Sequence, residues 1–159
     1  MSASRTRRRR TGAQSALHVA NGRPYRLEHQ AGFVIRKVHQ RASEIFAQVM
    51  AGFDVTPAQF STLVKLHEEG ELSQNHLGRL VATDPATTLG VVKRLRERGL
   101  VETRRDPDDG RRVLLRLNRR GHRLVERMVH QAGEVTRQTL APLDRAERRT
   151  LMGLLNRLD

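Results

Sequence analysis

Apolar residues along this chain fall into blocks of two different periods. From about Tyr25 to Met50 they recur at helical spacing: Val34, Val38, Ile45 and Val49 form one stripe, with Phe33, Phe46 and Met50 beside it. That pattern predicts a long amphipathic helix ending near Gly52. Three shorter helices follow, each with its own start signal. Thr56-Pro57-Ala58-Gln59 is a capping box with proline in the first turn, where its missing N–H costs nothing. The helix it opens runs to about Glu69, and Gly70 supplies a left-handed exit. Ser73 caps the next, which should turn Leu77, Leu80 and Val81 inward. Asp84 caps a third, ending at Arg98 before Gly99, with Leu89, Val92 and Leu95 at i, i+3 and i+6 facing the core.

After Gly99 the period shortens. Leu100–Arg104 and Val113–Leu117 read as strands, and the turn-rich RDPDDGRR between them makes the pair a β-hairpin. Asn118 then starts a second long helix, with Leu124, Val125, Met128, Val129, Ala132 and Val135 on one face. Asp144 and Glu147 form another capping box, opening a last helix whose seam is Leu151, Leu154, Leu155 and Leu158. Residues 1–23 carry no periodicity and read as a flexible basic arm. The fold class expected is mainly α with a small β-hairpin. A winged helix-turn-helix spans about 56–121 within a domain of 24–159, flanked by dimerisation helices at about 25–51 and 119–158.

Composition narrows the chemistry. The 159 residues suit one domain, or one domain plus a dimerisation element. No apolar run approaches the roughly 18–20 residues of a membrane span, so no membrane partner is expected. The absence of cysteine excludes disulfides, thiolate metal sites and thiol redox sensing. Arg7–Arg10 imitate a twin-arginine signal, but the following TGAQSALHVANGRP has no apolar core, and the cytoplasm is the expected compartment. The net charge of +13 is unevenly placed: six arginines and no acid lie in residues 1–24, leaving +7 elsewhere. Between Arg79 and Arg120 stand twelve Arg/Lys against six Asp/Glu, so a polyanion is the expected partner of the middle of the chain. The arm is either a solvated tail or a non-specific phosphate-binding extension.

An enzyme is not indicated, for want of a cysteine nucleophile, a phosphate loop, paired acids in an apolar setting or a metal constellation. Seven histidines (18, 29, 39, 67, 76, 122 and 130) contain no close i, i+3 or i+4 pair, which argues for packing or surface roles and against zinc. No metal and no cofactor are called for.

Two short helices joined by a tight turn, then a basic hairpin, form the layout of a winged DNA reader. The helix from Asp84 carries Ala86, Thr87, Thr88 and Gly90 in its first turns, small enough to approach base edges and phosphates. Lys93 and Arg94 lie farther along. Ser73 and Asn75, at the start of the preceding helix, complete the candidate duplex-DNA contacts there. In the hairpin, Arg104, Arg105, Arg111 and Arg112 flank Asp106, Asp108 and Asp109. Arginine at such a tip enters the minor groove, and Asp109 is expected to hold the loop by pairing with Arg111.

With these pieces in place, the stretch LSQNHLGRLVATDPATTLGVVKRLRERGLVETRRDPDDGRRVLLRLNRRG resembles the MarR family of bacterial transcriptional regulators. The similarity extends over about Tyr25 to Asp159. It implies a homodimer in which first and last helices of both chains intertwine, with an effector pocket between that layer and each winged lobe. Carried over by position, Thr87, Thr88, Lys93 and Arg94 read the groove, and Asp109, Arg111 and Arg112 belong to the wing. Asn118 stands where members commonly carry threonine, and asparagine caps equally well. The residues themselves also favour a dimer, since the flanking helices hold more apolar stripe than a winged lobe of ~65 residues can cover. Two-fold symmetry would set two reading helices ~34 Å apart on a pseudo-palindrome.

The first-helix segment YRLEHQAGFVIRKVHQRASEIF is similar to a MarR-like subgroup that responds to aromatic acids or their CoA thioesters. Arg36 and His39 lie within one turn of each other near Phe33. They suit a carboxylate or phosphate, with Phe33, Phe60 and Leu66 against a ring; equally, Arg36 and His39 suit a dimer surface. The expected function is a sequence-specific repressor released by such a small-molecule effector. The rival is an effector-independent nucleoid-type DNA-binding protein.

Overall fold

The computed structural model describes residues 24–107, 109–110 and 113–158; the arm, Arg111 and Arg112 lie outside them. The described residues form α1 (Ala31–Val49), α2 (Pro57–Glu69), β1 (Leu72–Ser73), α3 (Gln74–Leu80), α4 (Pro85–Glu97), β2 (Val101–Arg105), β3 (Val113–Leu117), α5 (Arg119–Thr139) and α6 (Arg145–Leu155). The chain divides into two compact units, Met1–Val38 and His39–Asp159.

In the first unit the expected helix begins later than its periodicity suggested. Leu27–His29 is a 3-10 turn, and Gln30 stands in extended conformation before α1 begins. The Arg36 and Lys37 side chains lie over the Phe33 ring, 5.3 and 5.7 Å from its centroid. Val34, Ile35 and Val38 are about half exposed.

The second unit is built around one core, to which α2 gives Leu63 and Leu66, α3 Leu77, α4 Val91, Val92 and Leu95, and α5 Val125 and Met128. Phe46 meets Phe60 edge-on at 5.6 Å. The predicted start signals act as expected. Thr56 and Gln59 exchange bonds in a capping box, as do Asp144 and Glu147. Asp84 accepts from the Thr87 amide, and Asn118 accepts from the amides of Arg120 and Gly121.

The hairpin is larger than expected. β1 adds to it, giving a three-stranded antiparallel sheet in the order β1-β3-β2, with Leu72 opposite Leu115 and Val101 opposite Leu117. Two residues are too few to show a period, which is why β1 is invisible in the pattern; Ser73 ends the strand and caps α3 at once. Leu115 and Leu117 point into the core, whereas Val113 on the same face is half exposed, because the wing runs out past the helices.

Candidate nucleic-acid interface

Helix α4 places the outward face of this lobe. Thr88, Val91, Val92 and Leu95 are its buried residues, a spacing of i, i+3, i+4 and i+7. Two expectations are corrected by that phase. Leu89 is 57% exposed instead of inward, and Thr88 is 2% exposed instead of on the reading face. A threonine can take the buried position because its hydroxyl is satisfied twice: it lies 2.8 Å from Thr83 Oγ1 and donates to the Asp84 carbonyl at 2.9 Å. Beneath it lies Gly78, where a Cβ would stand 2.9 Å from Thr88 Oγ1. The two short helices therefore touch through a glycine and a threonine, and this sets their crossing.

Ala86, Thr87, Lys93 and Arg94 are exposed on α4. Thr87 is held by Asp84 twice, through its amide at 2.9 Å and its hydroxyl at 2.6 Å. Those bonds, the side-chain one first, keep the Asp84 carboxyl below its usual value of 3.8. Lys93 approaches Glu97 at 3.9 Å, an exposed pair of little energetic weight. Asn75 is exposed at the start of α3. Leu80, expected inward, is 37% exposed, because a seven-residue helix has room to bury only Leu77 and Gly78.

The wing is braced at its base by ion pairs. Arg104 grips Glu71 through Nε at 2.7 Å and through Nη2, and Arg116 lies 3.7 Å from the same carboxylate and 3.3 Å from Glu102. The Arg104 bond is the main reason the Glu71 carboxyl titrates below its usual range. Arg104, a candidate DNA contact by sequence, thus ties β2 to the residue before β1. Asp109 is exposed, and its expected partner Arg111 lies outside the described residues, as does Arg112.

The candidate effector residues fall in both units, Phe33 and Arg36 in the first and His39, Phe60 and Leu66 in the second. Leu66 is fully buried in the core, which corrects its reading as a ligand contact, while Phe60 packs against that core. Arg36 and His39 are exposed on α1, and Phe33 is half-buried. A cleft of about 610 Å³ opens beside Met50, Val55, Gln59, Arg94 and Arg98, and no sequence signal pointed to it. One further juxtaposition escaped the sequence: His67 and His122, 55 positions apart, bring their Nδ1 atoms to 3.0 Å. No group of three or more metal-ligating side chains occurs among the described residues. No described helix is long and apolar enough to cross a membrane.

Residues 55–113 match the MarR family model. Over 135 residues the chain is 35% identical to the HTH-type transcriptional repressor NicR of Pseudomonas putida, covering 85% of each protein. The chain belongs to the MarR family. Among solved MarR-like structures, a probable transcriptional regulator from Pseudomonas aeruginosa matches at 48% identity and a TM-score of 0.81, over 84% of this chain and all of that one. BpsR of Bordetella bronchiseptica, whose DNA binding is regulated by 6-hydroxynicotinic acid, matches at 37% identity and a TM-score of 0.81, over 85% of this chain and 96% of BpsR. This MarR-family chain accordingly carries the winged helix-turn-helix that its sequence pattern predicted.

Proposed function

We propose that the protein is a homodimeric repressor that reads a pseudo-palindromic operator and is released by a small aromatic acid or aromatic acyl-CoA thioester. One observation carries the DNA-reading part: α4 turns Val91, Val92 and Leu95 into the core while a capped first turn, Lys93 and Arg94 face outward beside a basic wing. In this reading Ala86, Thr87, Lys93 and Arg94 meet the major groove. Ser73 and Asn75 meet the backbone, and Arg111 and Arg112 reach the minor groove, with Asp109 shaping the tip. Thr88 and Arg104 act by holding the frame. Residues 56–121 form the reading lobe, α1, α5 and α6 the dimer layer, and residues 1–23 a phosphate-binding arm.

The dimer is supported by α6, which buries none of its residues and leaves Met152, Leu154, Leu155 and the following Leu158 exposed. The aromatic-acid effector is supported by the likeness to BpsR, which makes 6-hydroxynicotinic acid the first compound to try. A mobility-shift assay against the DNA upstream of the protein's own gene, at physiological salt, tests the proposal. Retention of that DNA over random duplex, released by 6-hydroxynicotinic acid or benzoate but not by chloride, is the expected result. Equal affinity for random DNA would favour the effector-independent nucleoid-type reading, and specific retention indifferent to aromatic acids would remove the effector class.

A further inference from the structure

A second cleft, of about 290 Å³, is lined by Arg98, Leu100, Arg120, Arg123, Leu124 and Arg127. Four of its six lining residues are arginines, and none is acidic. Three of the four come from one face of α5, at i, i+3 and i+7, and the first turn of that helix contains no acid to balance them. The fourth, Arg98, arrives from the end of α4, more than twenty positions away in sequence.

Three of the four side chains, those of Arg98, Arg120 and Arg127, have fixed neighbours. Arg98 donates to the carbonyls of Asp54 at 2.6 Å and Phe53 at 3.2 Å, and its only described carboxylate neighbour, Asp54, is 3.9 Å away at the far limit of an ion pair. Arg127 lies over the Phe53 ring, 5.5 Å from its centroid. Arg120 packs against Gly99, with Nη1 3.3 Å from where a Cβ would stand. A set of like charges fixed around one concavity is unfavourable until an anion enters it, and the Phe53 and Gly99 contacts lessen the ordering cost when one does.

We propose that this cleft binds a small ligand carrying adjacent phosphates. A single carboxylate engages one guanidinium fork and leaves three cations facing one another. Two linked phosphates bring several negative charges and enough acceptor oxygens for bidentate bonds to more than one arginine. The volume sits at the small end of ligand sites, matching a diphosphate more closely than an extended chain. Leu100 and Leu124 give an apolar wall for the group that bears the phosphates. The cleft shares no residue with the candidate effector set Phe33, Arg36, His39, Phe60 and Leu66, and the proposal holds whether or not an aromatic acid is the effector.

Isothermal titration of the full-length protein with inorganic pyrophosphate, in physiological salt, tests this. The expected result is saturable binding of one pyrophosphate per chain, weakened at least tenfold in Arg123→Gln and in the pair Arg120→Gln/Arg127→Gln, with benzoate giving no heat that these variants alter. Unchanged helical circular dichroism in the variants separates lost binding from lost fold. Pyrophosphate bound equally by wild type and variants would belong elsewhere on this basic chain and overturn the proposal. So would an Arg123→Gln protein that keeps its pyrophosphate affinity while its DNA-binding salt slope falls by about one, which assigns the cleft to the DNA backbone.

Discussion

Helices α4 and α6 are opened by the same device and come to different ends. Each starts at an aspartate whose carboxylate accepts from the backbone amides of the first turn. Yet α4 buries Thr88, Val91, Val92 and Leu95, whereas α6 buries nothing and keeps Leu154 and Leu155 at 50% and 40% exposure. A cap decides where a helix begins, because it satisfies amides that the helix itself leaves unpaired. It does not decide what the helix packs against. For α4 the partners are in the same chain; for α6 they belong, in our proposal, to a second copy.

The contrast is broken most forcefully from the α4 side. Leu95 is fully buried, and Leu95→Ala should destabilise the lobe by about 2–5 kcal/mol in urea unfolding, at any protein concentration. A cost below about 1 kcal/mol would mean that this core is not the source of the lobe's stability. Gly121→Ala should come next, at about 1–3 kcal/mol, since its Cβ would clash with the Leu100 carbonyl oxygen. Thermal melting of that variant at full helix content measures it.

On the α6 side the effect should appear only as association. Leu155→Ala should weaken the dimer by about 1.5–3 kcal/mol while leaving the dilute-protein melt of the lobe unchanged. Sedimentation across a concentration series distinguishes the two, and an unchanged dissociation constant would take α6 out of the interface. The smallest effect separates the caps themselves. The folded Asp84 carboxyl titrates below its usual 3.8, so its contribution is fully present above about pH 4 and fades as pH falls through the lowered folded value. Asp84→Asn should flatten that acid limb of stability, and a limb of the same steepness in the variant would assign it to other carboxylates.

Local features were legible in the sequence for a physical reason. Thr56, Asp84, Asn118 and Asp144 act on backbone groups two or three residues away, so their roles are written in short words of sequence. The winged arrangement was legible because a change of apolar period marks where helix gives way to strand. What stayed hidden depends on contacts between distant positions. Thr88 could trade places with Leu89 because Thr83, across the turn, and the Asp84 carbonyl together satisfy its hydroxyl. Leu66 reads as well for a ligand wall as for a core, and only the packing of α2 decides. The pairing of His67 with His122, and of Glu71 with Arg104, joins positions 55 and 33 apart, and no spacing rule reaches that far.

The junction around Asn118 has a mechanical meaning. Its side chain donates to the Gly99 carbonyl at 2.9 Å while capping α5, its amide donates to the Leu100 carbonyl at 3.2 Å, and Gly121 lets that same carbonyl lie against the helix. The end of α4 and the start of α5 are thus fastened at several points within a few ångströms, a weld instead of a hinge. Helix α5 is 21 residues long, roughly 30 Å at 1.5 Å per residue. A tilt applied at its far end would therefore be passed to the Gly99–Leu100 junction as rotation, with little slack to absorb it.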